Sequence, residues 1–287
     1  MPVYDRSWRP YDGPLTPLGR RFLVISRQAL SGILAVRLHA LAFFAACLPP
    51  LVFTAIIYGA NNLEALALVG VRAQDAFAID TGFFYRFLVA QVAFGSVFTA
   101  LVAPALVAPD LAHDALVLVL ARPIDRRDYV LGKLVALAVL LSAVTWVPGL
   151  LLFGIQASLA GGDWLAGHLR IAAALFVGSW LWILTVGVVA LAVSAWVRWR
   201  PVATAAVLGV FLVGKGLGEA FNQVLDTTWG RLLVVDDLIV SVWAALFGRE
   251  QPEGSLPMIA TALGIAAFWL VALRLLARRL RAREVSR

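Results

Sequence analysis

The sequence predicts an all-α integral membrane protein. It has six transmembrane helices, an N-terminal amphipathic helix in the membrane plane, and short re-entrant helices before the last span. Three observations predict this. Of the 287 residues, 62% are hydrophobic and only 14% are charged, whereas a soluble domain carries about 25% charged residues. Six apolar runs each meet the need for roughly 20 residues to cross a hydrocarbon core. Eighteen of the 24 lysines and arginines fall in segments that such a layout places on one side. Residues 1–37 therefore read as an arm plus interfacial helix, and residues 38–287 as one six-span domain.

Taken in order, residues 1–15 are polar and carry Pro2, Pro10, Gly13 and Pro14, which makes an irregular arm. A helix is expected from Thr16 as N-cap, with Pro17 at the first helical position. Leu18, Phe22, Ile25, Ala29, Ile33 and Val36 recur at helical spacing, and Arg20, Arg21, Arg27, Gln28 and Ser31 take the opposite face. That pattern fits a helix lying in the interface with its arginines toward anionic headgroups. Arg20-Arg21 and the box ending at Cys47 imitate targeting signals, but neither has the required flanks.

The first span is expected over Leu38 to Ala60, kinked near Pro49-Pro50, with neighbours satisfying the freed carbonyls. The second runs over Phe83 to Ala108. The third runs over Val130 to Ala157 and is interrupted at Pro148-Gly149. Gly161-Gly162-Asp163 makes a turn before the fourth span, Leu169 to Val197. Arg198-Trp199-Arg200-Pro201 is a tight basic turn before the fifth, Val202 to Phe221. The last covers Leu256 to Ala277. Between the fifth and sixth, the apolar run Leu238 to Phe247 is too short to cross and suits a re-entrant or interfacial helix. Trp229 and Trp243 fit a headgroup-level position there.

Basic residues concentrate on the cytoplasmic side of membrane proteins. Both termini are therefore expected in the cytoplasm, in the cell inner (cytoplasmic) membrane. The 109–133 loop faces the same side and the 219–254 region faces outside. Ten of the seventeen acids lean the other way. The net charge of +7 sets orientation and does not point to nucleic acid. Cys47 alone cannot form a disulfide within the chain or a thiolate cluster, and His39, His113 and His168 have no metal-ligand spacing. Gly209 to Lys215 imitates a phosphate-binding loop, but Gly216 replaces the magnesium-binding hydroxyl. Gly95-Ser96 and Gly178-Ser179 lack a nucleophile elbow and a histidine base, and small residues in spans allow close helix packing. No catalytic, cofactor or metal site is expected in the chain, so an intramembrane enzyme has no residues to work with. Lys215 and Glu219, one turn apart in the fifth span, and Gln91 in the second are transport-path candidates, because polar groups at membrane depth are costly.

The stretch Pro109 to Lys133 organises the rest. Four acids (Asp110, Asp114, Asp125, Asp128) mix with four bases (Arg122, Arg126, Arg127, Lys133) between two spans. A short helix capped by Asp110 is expected, ended by Pro123. Arg122-Pro123-Ile124 and Arg126-Arg127-Asp128-Tyr129-Val130-Leu131-Gly132-Lys133 resemble a recurring passage in the permease subunits of ATP-binding-cassette exporters of the second type (ABC type-2). That passage is a proline after arginine or serine, then an arginine, an aromatic and leucine-glycine-lysine. The stretch Asp110 to Leu116 departs from the family's glutamate and Gly-Thr pair. The resemblance implies a cytoplasmic coupling helix that fits a groove on a separate ATPase subunit, with ATP and magnesium bound there. It makes Asp110, His113, Asp114, Arg122, Pro123, Asp125, Arg126, Arg127, Asp128, Tyr129 and Lys133 the candidate coupling residues. Asp114 and Arg126 are the expected partner-facing charges, and Lys133 the expected anchor of the third span. It further implies a dimer with a second permease copy or homologue, embedded in a lipid bilayer. The expected function is export of an amphipathic, lipidic, drug or peptide cargo. The alternative is a non-transporting membrane anchor that recruits an ATPase to an envelope process.

Overall fold

Prolines and glycines decide where the apolar runs break. The computed structural model describes residues 16–62, 78–112 and 124–281. After a 3-10 turn at Leu18–Arg20, helix α1 spans Arg21–Leu34. The first span is two helices, α2 (Arg37–Ala46) and α3 (Leu48–Asn61), broken at Cys47. The break falls just ahead of Pro49 and Pro50, so both sit in the first turn of α3. There a missing N–H breaks no bond within that helix. Helix α4 (Thr81–Ala112) is the second span, and the side chain of Asp80 accepts from the Phe83 amide at 2.9 Å to cap it. The third span is α5 (Arg126–Val144) and α6 (Trp146–Ala160), broken at Thr145 so that Pro148 again lies in a first turn. The Thr145 hydroxyl donates to the Leu141 carbonyl at 2.7 Å, bonding the carbonyl that its own amide has left for Ser142.

Gly161, at φ 92, reverses the chain into α7 (Gly162–Trp196). Helix α8 (Arg200–Leu225) carries Pro201 at its start and ends where Asp226 turns left-handed. A 3-10 turn at Trp229–Leu233 and the 12-residue α9 (Val235–Leu246) precede α10 (Met258–Arg281). Six helical stretches are long and apolar enough to cross a membrane: Arg37–Asn61, Thr81–Ala112, Arg126–Ala160, Gly162–Trp196, Arg200–Leu225 and Met258–Arg279. Among the described residues there is no strand.

Helices α4 and α7 form the centre and pack on one another more extensively than any other pair. α5 and α6 complete the buried core, whereas α2–α3, α8 and α10 leave most of their apolar surface outward. Glycines set the close approaches. A Cβ on Gly95 would come within 2.6 Å of Trp182, and one on Gly178 within 3.0 Å of Trp243. The Gly-Ser pairs thus serve packing. The indole of Trp243 donates to the Gly178 carbonyl at 2.9 Å and is fully buried. This corrects the headgroup-level expectation for Trp243, because the short α9 folds inward against α7. Trp229 is exposed. Arg170 fastens the same, C-terminal end of α9 by donating to the carbonyls of Ala245 and Leu246 at 2.8 and 2.9 Å.

Three further expectations change. Thr16 does not cap a helix, because Pro17 leads into the 3-10 turn instead. Leu18 and Val36 fall outside α1, and the packed side of α1 is Phe22, Ile25, Ser26, Ala29, Leu30 and Ile33. Asp110 does not begin a new helix. α4 runs through Pro104 and Pro109 into its last turn because Leu111 is buried in the core and Asp110 is tied to α5. The alternating spans gather α1, the end of α4, the starts of α5 and α8 and the end of α10 at one basic end. A bond of 3.2 Å from Arg279 to the Ala195 carbonyl joins the end of α10 to the end of α7, just ahead of the start of α8.

Candidate functional site

At the basic end, the last turn of α4 and the first turn of α5 lie side by side. One carboxylate oxygen joins the two. Asp110 Oδ2 accepts from the Tyr129 hydroxyl at 2.9 Å and from Lys133 Nζ at 2.7 Å. Tyr129 and Lys133 are one turn apart on α5, and the ammonium also lies 5.3 Å from the tyrosine ring centroid. Tyr129 is buried and the Lys133 side chain is only 13% exposed. Lys133, expected from the sequence to anchor the third span, pairs its charge with Asp110 of the second. A partly buried pair of this kind is costly to break on one side only, because the other charge stays behind.

Gly132 ties in the third element. A Cβ there would lie 2.7 Å from Ile25 Cβ and 2.9 Å from the Phe22 carbonyl, so only glycine lets α1 cross α5 this closely. The Ser26 hydroxyl lies 2.9 Å from the Gly132 carbonyl and 3.0 Å from the Phe22 carbonyl. Ser26 escaped the sequence reading, although a small polar residue amid Phe22, Ile25 and Ala29 was the available signal. The passage from Asp125 to Lys133 now has local reasons. Asp125 and Asp128 form a reciprocal capping box, with the Asp125 amide donating to Asp128 at 3.3 Å. Arg126 and Arg127 border a groove of about 450 Å³ shared with Leu273 and Leu276 of α10. His113, Asp114, Arg122 and Pro123 lie outside the described residues.

The transport-path candidates do not converge. Gln91 is fully buried and donates to the Ala46 carbonyl at 2.6 Å. That carbonyl is the one whose helical partner would be the amide Pro50 lacks. Lys215 and Glu219 are both exposed on α8. Lys215 acts on Asp236, outside the six spans. There burial pushes the carboxyl up, Asp237 adds to the rise, and Lys215 opposes it. The Gly209 to Lys215 stretch is helical throughout, so its backbone amides cannot turn inward around a phosphate.

A family-level sequence profile described as ABC-2 family transporter protein matches residues 61–225. The matched stretch runs from the end of α3 to the end of α8 and contains the whole Asp110, Tyr129 and Lys133 cluster. No curated protein matches the chain.

Proposed function

The chain belongs to the ABC-2 family of transporter proteins, and from that premise we propose that it exports an amphipathic or lipidic cargo under the drive of a separate ATPase. As a family member it is a membrane permease component of an ATP-binding-cassette transporter. The finer reading has the 109–133 loop face the cytoplasm and dock on the ATPase, which holds ATP and magnesium. A second permease copy or homologue would complete the translocation path.

The observation that carries this is the convergence at Asp110. Both ends of the loop are held on one carboxylate, and α1 is held one residue away through Gly132. A push on the loop therefore reaches the second span, the third span and α1 together, which is what a rigid-body power stroke needs. The exposed apolar surface of α2–α3, α8 and α10 leaves room for lipid and for a second copy.

The test is co-purification with the ATPase, followed by hydrolysis and transport assays on Asp114→Lys and Arg126→Glu. Either reversal is expected to weaken assembly, by about 2–5 kcal/mol if the contact is buried, or to leave assembly intact while hydrolysis no longer drives transport. Parental binding and transport in both variants would reduce the loop to a topological connection. Hydrolysis that ignores every amphiphile offered would favour the anchoring role instead.

A further inference from the structure

Between α1 and the core, at the basic end, lies a cavity of about 460 Å³. Its walls differ in character. One is aliphatic, with Ile25, Ala29 and Ile33 of α1 facing Leu106 of α4. The other is polar, with Gln28, His39, Asp110, Lys133 and Arg200 brought together from five helices. We propose that this cavity holds the headgroup of an anionic phospholipid from the adjoining leaflet.

Charge comes first. Lys133 is offset by Asp110 at 2.7 Å, whereas Arg200 is exposed at the start of α8 with no carboxylate partner among the described residues. Among the described residues that line it, the cavity thus keeps about one net positive charge, the complement of one phosphodiester. Basic pockets between spans at a membrane surface are suited to such headgroups. Hydrogen-bond capacity comes second. His39 is 7% exposed, and its Nδ1 lies 3.2 Å from the Ile33 carbonyl. A carbonyl only accepts, so Nδ1 carries the proton, and whenever the ring is neutral Nε2 is left as an acceptor. A headgroup hydroxyl, as in phosphatidylglycerol, would satisfy it. The third point is the route for the tails. The chain that lines the cavity at Val36 and His39 continues into α2 with Leu38, Leu41 and Phe44 strongly exposed. A soluble phosphate ester would use the polar wall and leave this apolar track bare.

The experiment is native mass spectrometry of the full chain, released from bilayers of phosphatidylglycerol and phosphatidylcholine. Selective retention of phosphatidylglycerol is expected. Arg200→Gln should weaken it about tenfold, the loss of one charge-assisted contact. Arg200→Lys should keep most of it, which also shows that the position tolerates change. Arg27→Gln, on the exposed side of α1, should leave it unaltered. Equal retention of the two lipids, or an equal loss in Arg27→Gln, would overturn the site in favour of diffuse attraction. Binding of glycerophosphoglycerol as tight as that of the intact lipid would overturn the lipid in favour of a free phosphodiester. No ATPase enters the assay, so failure here leaves the permease assignment standing.

Discussion

Pro50 has no N–H to offer the carbonyl of Ala46, and Gln91 supplies one from the neighbouring span. The two residues should therefore be energetically coupled. Gln91→Leu is expected to cost about 0.6–2 kcal/mol, the range for an interhelical bond within a membrane. In a Pro50→Ala background the new amide can reach Ala46, and most of that cost should vanish. A double-mutant cycle on the thermal midpoint in detergent checks it, and simple additivity would reject the coupling. The kink at Pro49-Pro50 and the need for a neighbour to satisfy it were legible in the sequence, because proline chemistry is local. Which neighbour does so was not, because Gln91 lies 45 residues away and a lone amide in a span reads equally well as part of a path. Gly132 is similar. Its place before Lys133 was visible, but its reason is a helix crossing that only the fold creates.

The elements were legible where hydrophobic length dominates and obscure where tertiary contact overrides local rules. All six spans follow from apolar runs. Asp110 and Pro109 looked like a helix boundary, yet α4 continues through them because Tyr129 and Lys133 hold the far side. The short α9 was visible as a run too brief to cross, but its depth was not. Trp243 reaches inward only because Gly178 has no side chain to block it. That contact makes a prediction about the element. Gly178→Val should overpack the α7–α9 crossing by about 1–3 kcal/mol and raise the population of an undocked α9. Ser241 is buried on α9, so a cysteine replacing it in a Cys47→Ser background reports the opening. A membrane-permeant thiol reagent should label it roughly tenfold faster once Gly178→Val is added. Unchanged labelling would mean that α9 is held by Arg170 and its neighbours without help from Trp243.

For the whole molecule, charge and packing agree on two unlike ends. α1, the Asp110 cluster, the α7–α8 turn and the end of α10 gather most of the basic residues at one end. The opposite end holds α9 and the turns that carry Asp163, Asp226, Asp236, Asp237, Glu250 and Glu253. The positive-inside bias predicts that the basic end faces the cytoplasm, and the proposed ATPase needs it there, because ATP is on that side. The headgroup cavity also lies at this end, so one orientation fixes both the energy source and the leaflet that supplies the lipid. Single cysteines replacing Ser7 and Glu253 in a Cys47→Ser background, probed in intact cells with an impermeant thiol reagent, test this directly. Position 253 is exposed and should label, whereas position 7 should label only after the membrane is opened. Labelling at 7 and protection at 253 would turn the molecule over. It would put the loop beyond the reach of any cytoplasmic ATPase and move the lipid site to the outer leaflet.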